Sequence, residues 1–102
     1  MKVEVVHIED CPNWEEAGRR VRAALDRVGA RRVVVDYRLV ASSEDAAAVW
    51  FAGSPTILID GADAFPTDGR TTDLACRVYY TDDGISRFPT VEQLVRAIQQ
   101  RR

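Results

Sequence analysis

Residues 3–12 read VEVVHIEDCP and residues 51–61 read FAGSPTILIDG, and these two stretches decide the predicted fold. The first begins with a β-rich run from Val3 to Ile8, as expected of a strand that is covered on both faces. Proline is favoured at the first helical position because its missing N–H would have no partner there. Pro12 therefore predicts a helix start, with Cys11 as the N-cap residue.

Strand and helix patterns alternate along the rest of the chain. The first helix is predicted to continue to Val28, with apolar residues every three or four positions on one face, and Gly29 ends it. Further strands are predicted at Arg32 to Val40, Thr56 to Asp60 and Cys76 to Thr81. Further helices, each with a capping-box spacing at its start, are predicted at Ser42 to Ala52 and from Pro89-Thr90 onward.

The resulting order β-α-β-α-β-β-α predicts an α/β fold, a four-stranded mixed sheet with helices on both faces. Right-handed crossovers between parallel neighbours and a closing hairpin fit this order without crossed connections. The length predicts a single domain over residues 1–102. The segment Ala62 to Ala75 is the longest irregular stretch, and loops of this length in small domains are often lids or binding loops.

Composition and charge narrow the class of function. Apolar residues make up 46% of the chain and charged residues 29%, which is typical of a soluble globular protein. The formal net charge of −2 argues against a surface that neutralises a phosphate backbone, so we expect no nucleic-acid partner. The sequence shows neither a run of about 18 apolar residues nor a signal-peptide region. We therefore expect a cytoplasmic protein with no membrane partner.

Cys11 is the residue best suited to carry chemistry. A sulfur at a helix N-terminus faces unpaired N–H groups and the positive end of the helix dipole, which favours the nucleophilic thiolate. Four nearby carboxylates push the thiol pKa upward instead, namely Glu9, Asp10, Glu15 and Glu16. The balance predicts a reactive cysteine of moderate acidity. The alternative is a small apolar residue that fills space at the end of a strand.

The Cys-Pro pair before the first helix and the run from Phe51 to Gly61 together resemble the thioredoxin fold. The resemblance extends from Val3 to about Ile98 and is closest to small bacterial thioredoxin-like proteins, some of which carry the label alkylmercury lyase. It implies that Cys11 is the attacking cysteine and that Pro55 is a cis-proline packed against the sulfur. It also implies that the backbone of Ser54 pairs with an extended substrate.

The sequence departs from this family where a second active-site cysteine is usual. The motif here is Cys-Pro-Asn-Trp, with Trp14 in place of that cysteine. A mixed disulfide at Cys11 then needs an external thiol for its release, as in monothiol glutaredoxins. The resemblance implies thiol–disulfide exchange with a small thiol or a protein disulfide as partner, no bound cofactor, and a low-molecular-weight thiol such as glutathione as co-substrate. The residues expected to bind the substrate are Pro12, Trp14, Ser54, Pro55 and Thr56.

Two other functions stay open at the level of sequence. One is a binding module that keeps the fold but has lost turnover, and the missing cysteine at position 14 supports it. The other is the handling of a soft metal or an organomercurial at Cys11, since thiolates select soft ions. Beyond that single thiol, no ligand spacing in the sequence indicates a metal site.

For three residues we favour a structural role. Cys76 is expected to start the fourth strand about 20 Å from Cys11, which favours a buried, inert thiol over a Cys11–Cys76 disulfide. His7 precedes Cys11 by about 13 Å of strand, too far for a general base, so a packed or surface histidine is expected. Trp14 is expected to anchor the first helix rather than to cover the sulfur.

Overall fold

The computed structural model describes residues 1–66 and 70–101, which form an α/β fold. The strands of the described residues are β1 (Val3–Ile8), β2 (Val35–Val40), β3 (Thr56–Ile59), β4 (Ala62–Asp63), β5 (Tyr79–Thr81) and β6 (Gly84–Ser86). Their helices are α1 (Trp14–Arg27), α2 (Ser43–Ala48) and α3 (Val91–Gln100). Within these described ranges, no helix has the length and apolar character needed to span a bilayer.

The larger sheet has the strand order β2-β1-β3-β4. β1 pairs with β2 in parallel, from Val3 opposite Val35 to Ile8 opposite Val40, and β2 starts at Val35 rather than at the predicted Arg32. β3 runs antiparallel to both β1 and β4. The predicted four-stranded mixed sheet is therefore confirmed.

Side chains of β1 alternate between two hydrophobic clusters, because successive strand residues point to opposite faces of a sheet. The first cluster contains Val5 of β1 and the buried faces of α1 and α3. The second cluster contains Val6 of β1, Ala46 of α2, and Cys11. Helices therefore cover both faces of the sheet, and Cys11 lies on the α2 side.

The helix ends follow local capping signals where these are strong. Thr90 caps α3 and forms a complete capping box with Gln93, as its spacing predicts. α2 is shorter than predicted and ends at Ala48 instead of Ala52. The backbone leaves the helical conformation at Val49, which is extended, with φ −132° and ψ 169°.

The fourth strand of the sheet is not the predicted one. It is β4, Ala62–Asp63, which lies inside the segment that we predicted to be irregular. Asp60 and Gly61 both have positive φ angles, 52° and 85°, and form the two-residue turn between β3 and β4. The dipeptide Asp-Gly is itself a signal for such a hairpin turn, because both residues tolerate positive φ.

The predicted strand Cys76 to Thr81 is also wrong in extent and in pairing. Within that range the strand is Tyr79–Thr81, which forms a separate hairpin with Gly84–Ser86. The intervening turn pairs β5 with the segment that follows it, so β5 does not extend the larger sheet. Residues 67–69, which belong to the loop predicted at Ala62 to Ala75, lie outside the described residues.

Candidate functional site

Cys11 follows the end of β1, where the chain turns toward α1. Its N–H donates to the carbonyl oxygen of Ile8 at 3.4 Å, and the residue is 1% exposed. The predicted helix start is wrong, because α1 begins at Trp14 and its N-cap is Asn13 rather than Cys11. Asparagine is among the preferred N-cap residues, and its carbonyl accepts the N–H of Ala17 at 3.1 Å. The Asn13 side chain does not cap the helix; its Nδ2 donates to the Cys11 sulfur at 3.7 Å.

The Ser54–Pro55 peptide bond is cis and lies next to Cys11. The Cys11 thiol donates to the carbonyl oxygen of Ser54, with 3.8 Å between the two atoms. The Ser54 hydroxyl accepts the N–H of Ile8 at 3.0 Å, which ties β1 to the segment before β3. Two parts of the chain that are 43 positions apart therefore meet at the sulfur.

Cys76 lies beside the same site, so its predicted position, buried and far from Cys11, is wrong. Ser54 and Cys76 form a parallel β-bridge, in which the Ser54 N–H donates to Ala75 and the Arg77 N–H donates to Ser54, both at 2.8 Å. Cys76 is exposed, and its thiol is near enough to that of Cys11 for each to shift the pKa of the other. Both cysteines are free thiols.

Gly53 permits the close approach of residues 75–77 to the cis peptide. Its φ angle is +106°, which a side chain would strain. A Cβ atom at this position would lie 2.9 Å from the Cβ of Arg77, too close for either backbone to stay in place. This role of Gly53 depends on a contact between segments that are distant in the sequence, so no local pattern predicts it.

A buried ion pair holds the segment that follows Cys76. The Arg77 guanidinium lies 3.0 Å from the Asp63 carboxylate, and the two side chains are 5% and 2% exposed. The guanidinium also lies over the ring of Tyr79, 4.6 Å from its centroid. The Tyr79 hydroxyl in turn donates to the carbonyl oxygen of Pro55. These contacts connect residues 76–79 to β4 and to the cis peptide, and sequence reasoning missed all of them.

The surroundings lower the pKa of the Cys11 thiol. Burial by itself raises this pKa, but hydrogen bonds from Ser54, Asn13 and Cys76 stabilise the thiolate and outweigh the burial. Burial raises the pKa of the Cys76 thiol, and the neighbouring Cys11 raises it further, while Arg87 partly lowers it. Cys11 is therefore the more acidic thiol of the pair.

Trp14 lies on the other face of the sheet from the sulfur. It stacks on His7, with 4.3 Å between ring centroids and 15° between planes, and meets the Tyr37 ring edge-on at 5.4 Å. It packs against the first hydrophobic cluster, whereas Cys11 belongs to the second. These contacts are those of a helix anchor, and His7 is buried in them.

Pro12 and Thr56 flank the site without contacting a common partner. Pro12 is exposed in the turn before α1. Thr56 is buried, and its hydroxyl accepts the N–H of Ala52 at 3.1 Å and donates to the carbonyl of Gly53. Thr56 therefore shapes the turn that leads into the cis peptide.

The site combines a thiol of lowered pKa with a neighbouring thiol, and the thiolate form of a cysteine can attack the sulfur of a disulfide. In residues 1–66 and 70–101, no three or more His, Cys, Asp and Glu side chains are grouped to hold a metal ion. No protein-family model, no curated protein and no solved structure matches this chain.

Proposed function

We propose that this chain is a thioredoxin-like protein that carries out thiol–disulfide exchange at Cys11, with a small thiol or a protein disulfide as partner. The observation that carries the proposal is the position of the Cys11 sulfur, 3.8 Å from the carbonyl oxygen of Ser54 and beside the cis Ser54–Pro55 bond. In the family that the sequence resembles, the attacking cysteine and a cis-proline lie side by side. A mixed sheet with helices on both faces is compatible with that resemblance.

The reaction begins with attack of the Cys11 thiolate on one sulfur of a disulfide. A bond forms between the Cys11 Sγ and that sulfur, the disulfide bond of the substrate breaks, and the other half leaves as a thiolate that takes up a proton. Hydrogen bonds from Ser54 and Asn13 favour the attacking form of Cys11. A thiol of low molecular weight, such as glutathione, supplies the reducing electrons that restore the free cysteine.

The test is the pH dependence of Cys11 alkylation. It is measured in Cys76→Ser, so that Cys11 is the only thiol that can be alkylated. Serine keeps a hydroxyl that can donate to the Cys11 sulfur, so the main features of the site are retained. We expect a midpoint below the value of about 8.5 that is usual for a free cysteine. We also expect glutathione-dependent reduction of a small disulfide by the wild type and none by Cys11→Ser. A midpoint at or above the usual value, together with no reductase activity, would contradict the proposal.

A second candidate is a binding module without turnover. It is favoured by the 1% exposure of Cys11 and by the backbone groups of Ser54, which are both paired within the chain. This candidate predicts that the wild type forms no mixed disulfide with oxidised glutathione in its folded state. Exchange at Cys11 predicts that a mixed disulfide or its product forms in a single turnover, as detected by mass spectrometry.

A further inference from the structure

The backbone of Ser54 is paired with this chain's own residues. Its N–H donates to Ala75 and its carbonyl oxygen accepts from Arg77, both at 2.8 Å. This is a strand-like pairing of the kind that the resemblance implies for an extended substrate. Cys76 lies at the centre of this pairing, opposite Ser54, whose carbonyl oxygen is 3.8 Å from the Cys11 sulfur. It therefore lies beside Cys11 as a substrate cysteine would.

We propose that Cys76 is the resolving cysteine of this site, which displaces the substrate from Cys11 and forms an intramolecular Cys11–Cys76 disulfide. The inference rests on the proposed exchange at Cys11. In it, the external thiol reduces the Cys11–Cys76 disulfide instead of releasing the substrate from Cys11. The cysteine that is missing at position 14 is thus supplied by a segment 65 positions away from Cys11, which the fold brings back to the cis peptide.

In the resolving step, the Cys76 thiolate attacks the Sγ of Cys11 in the mixed disulfide. The bond between the two cysteine sulfurs forms, and the bond from Cys11 to the substrate breaks. The substrate leaves as a thiolate and takes up the proton that Cys76 has lost. Over both steps the substrate disulfide gains two electrons and two protons, and the two cysteines lose them. Two molecules of a low-molecular-weight thiol then reduce the Cys11–Cys76 disulfide and become a disulfide themselves.

The charges at the site favour this order of attack. Before the first step, the negative charge of a thiolate at Cys11 raises the pKa of Cys76. A mixed disulfide at Cys11 is neutral, so this repulsion ends, while Arg87 still favours the Cys76 thiolate. Formation of the mixed disulfide at Cys11 therefore favours the thiolate of Cys76, which is the nucleophile of the resolving step.

The difference in exposure assigns the side-chain movement to Cys76. Cys11 is 1% exposed whereas Cys76 is exposed, so the proposal assigns to Cys76 the side-chain rotation that admits a substrate. Rotamer changes of exposed side chains take picoseconds to nanoseconds. The backbone of residues 75–77 stays in place through its bonds to Ser54 and through the buried Arg77–Asp63 pair. Closing the disulfide then brings the two sulfurs to about 2.05 Å from each other.

The test is mass spectrometry of wild type and Cys76→Ser after reaction of the reduced proteins with one equivalent of oxidised glutathione. We expect the wild type to lose two hydrogen atoms, to carry no glutathione and to resist alkylation at both cysteines. We expect Cys76→Ser to keep glutathione on Cys11. An internal thiol acts at an effective concentration on the order of millimolar, so with ~10 µM external thiol we expect glutathione to leave the wild type about 100-fold faster.

The outcomes separate this inference from the proposed function. A stable glutathione adduct on Cys11 in both proteins would overturn the resolving role and leave exchange at Cys11 intact. If neither protein formed an adduct or a disulfide, the proposed function itself would be overturned.

A disulfide that links two chains, seen on a non-reducing gel, would overturn the intramolecular step. Faster modification of Cys76 in Cys11→Ser than of Cys11 in Cys76→Ser would overturn the assigned order. Cys76→Ala is measured in parallel, and it should retain the adduct as Cys76→Ser does.

Discussion

The acidity of Cys11 depends on hydrogen bonds from separate parts of the chain. Ser54 and Cys76 reach the sulfur from the two sides of one β-bridge, and Asn13 reaches it from the turn before α1. Burial alone would make the thiol a weaker acid, so the loss of one of these partners should raise its pKa. Asn13 and not Cys11 is the N-cap of α1, so the sulfur does not occupy the N-cap position that the sequence predicts for it.

Ser54→Ala is expected to raise the alkylation midpoint of Cys11 and to destabilise the fold. The substitution removes a hydrogen bond to the thiolate, and it leaves the buried N–H of Ile8 without its acceptor. An unsatisfied buried donor costs about 1–3 kcal/mol in the free energy of unfolding, measurable by urea denaturation. Ser43→Ala, at an exposed position of α2, is the control and should change neither quantity. An unchanged midpoint in Ser54→Ala would show that the serine does not tune the sulfur.

Trp14→Ala is expected to lower stability without changing the alkylation midpoint. The indole stacks on His7, meets the Tyr37 ring edge-on and is partly buried against the first cluster, away from Cys11. Truncation of a half-buried tryptophan should cost roughly 2–3 kcal/mol, below the value for a fully buried one. Urea denaturation measures this loss, and the pH profile of alkylation measures the thiol. A shifted midpoint would mean that the ring covers the sulfur after all.

At the scale of elements, the segment that carries Cys76 is positioned by a close backbone approach and by a buried ion pair. Removing one member of such a pair leaves an unpaired buried charge, which typically costs about 3–5 kcal/mol. Asp63 belongs to β4 and Arg77 to the residues after Cys76, so the pair joins the edge of the sheet to the site. The β3–β4 hairpin therefore has a part in placing the second thiol.

Gly53→Ala is expected to slow closure of the Cys11–Cys76 disulfide, and Gly84→Ala is its matched control. Both glycines have a φ angle of 106°, so alanine places a side chain on a positive-φ backbone in both variants. At position 53 the new Cβ would also meet Arg77 at 2.9 Å, whereas at position 84 nothing lies within 4 Å. The extra loss of stability and the slower closure should therefore be confined to Gly53→Ala. Rates of glutathione release measure closure, and equal rates in the two variants would contradict the close approach.

At the scale of the whole molecule, the site lies where two layers of the fold meet. Cys11 belongs to the cluster beneath α2, and the cis peptide leads into β3 in the middle of the sheet. Residues 75–77 close over this point after the chain has left the sheet through β4. The two thiols therefore connect the beginning of the chain to its last third.

Oxidation is accordingly expected to stabilise the whole fold. A Cys11–Cys76 disulfide would enclose most of the chain, and the loss of loop entropy in the unfolded state predicts a stabilisation of about 4 kcal/mol. The free energy of unfolding, measured in urea with and without a reductant, should differ by this amount in the wild type. It should not differ in Cys76→Ser, which is the control. Equal stabilities of the oxidised and reduced wild type would indicate that no disulfide spans these elements.

The sequence by itself determined the features that depend on neighbours along the chain. The apolar run of β1, the stripe of α1 and the capping box at Thr90 are local patterns, and the structure contains each of them. The hairpin turn at Asp60-Gly61 has an equally local signal, because the Asp-Gly dipeptide is typical of such turns. The mixed sheet followed because these elements have few arrangements that bury their apolar faces.

Only the tertiary structure decided where the second thiol lies. The placement of Cys76 depends on how the segment after β4 folds back, and this is set by the close approach at Gly53 and by the Arg77–Asp63 pair. Both contacts join residues that are distant in sequence, so no periodicity or spacing encodes them. The same holds for Ser54 and Cys76, which lower the pKa of Cys11, because packing brings them to the sulfur, whereas Asn13 is only two residues away from it.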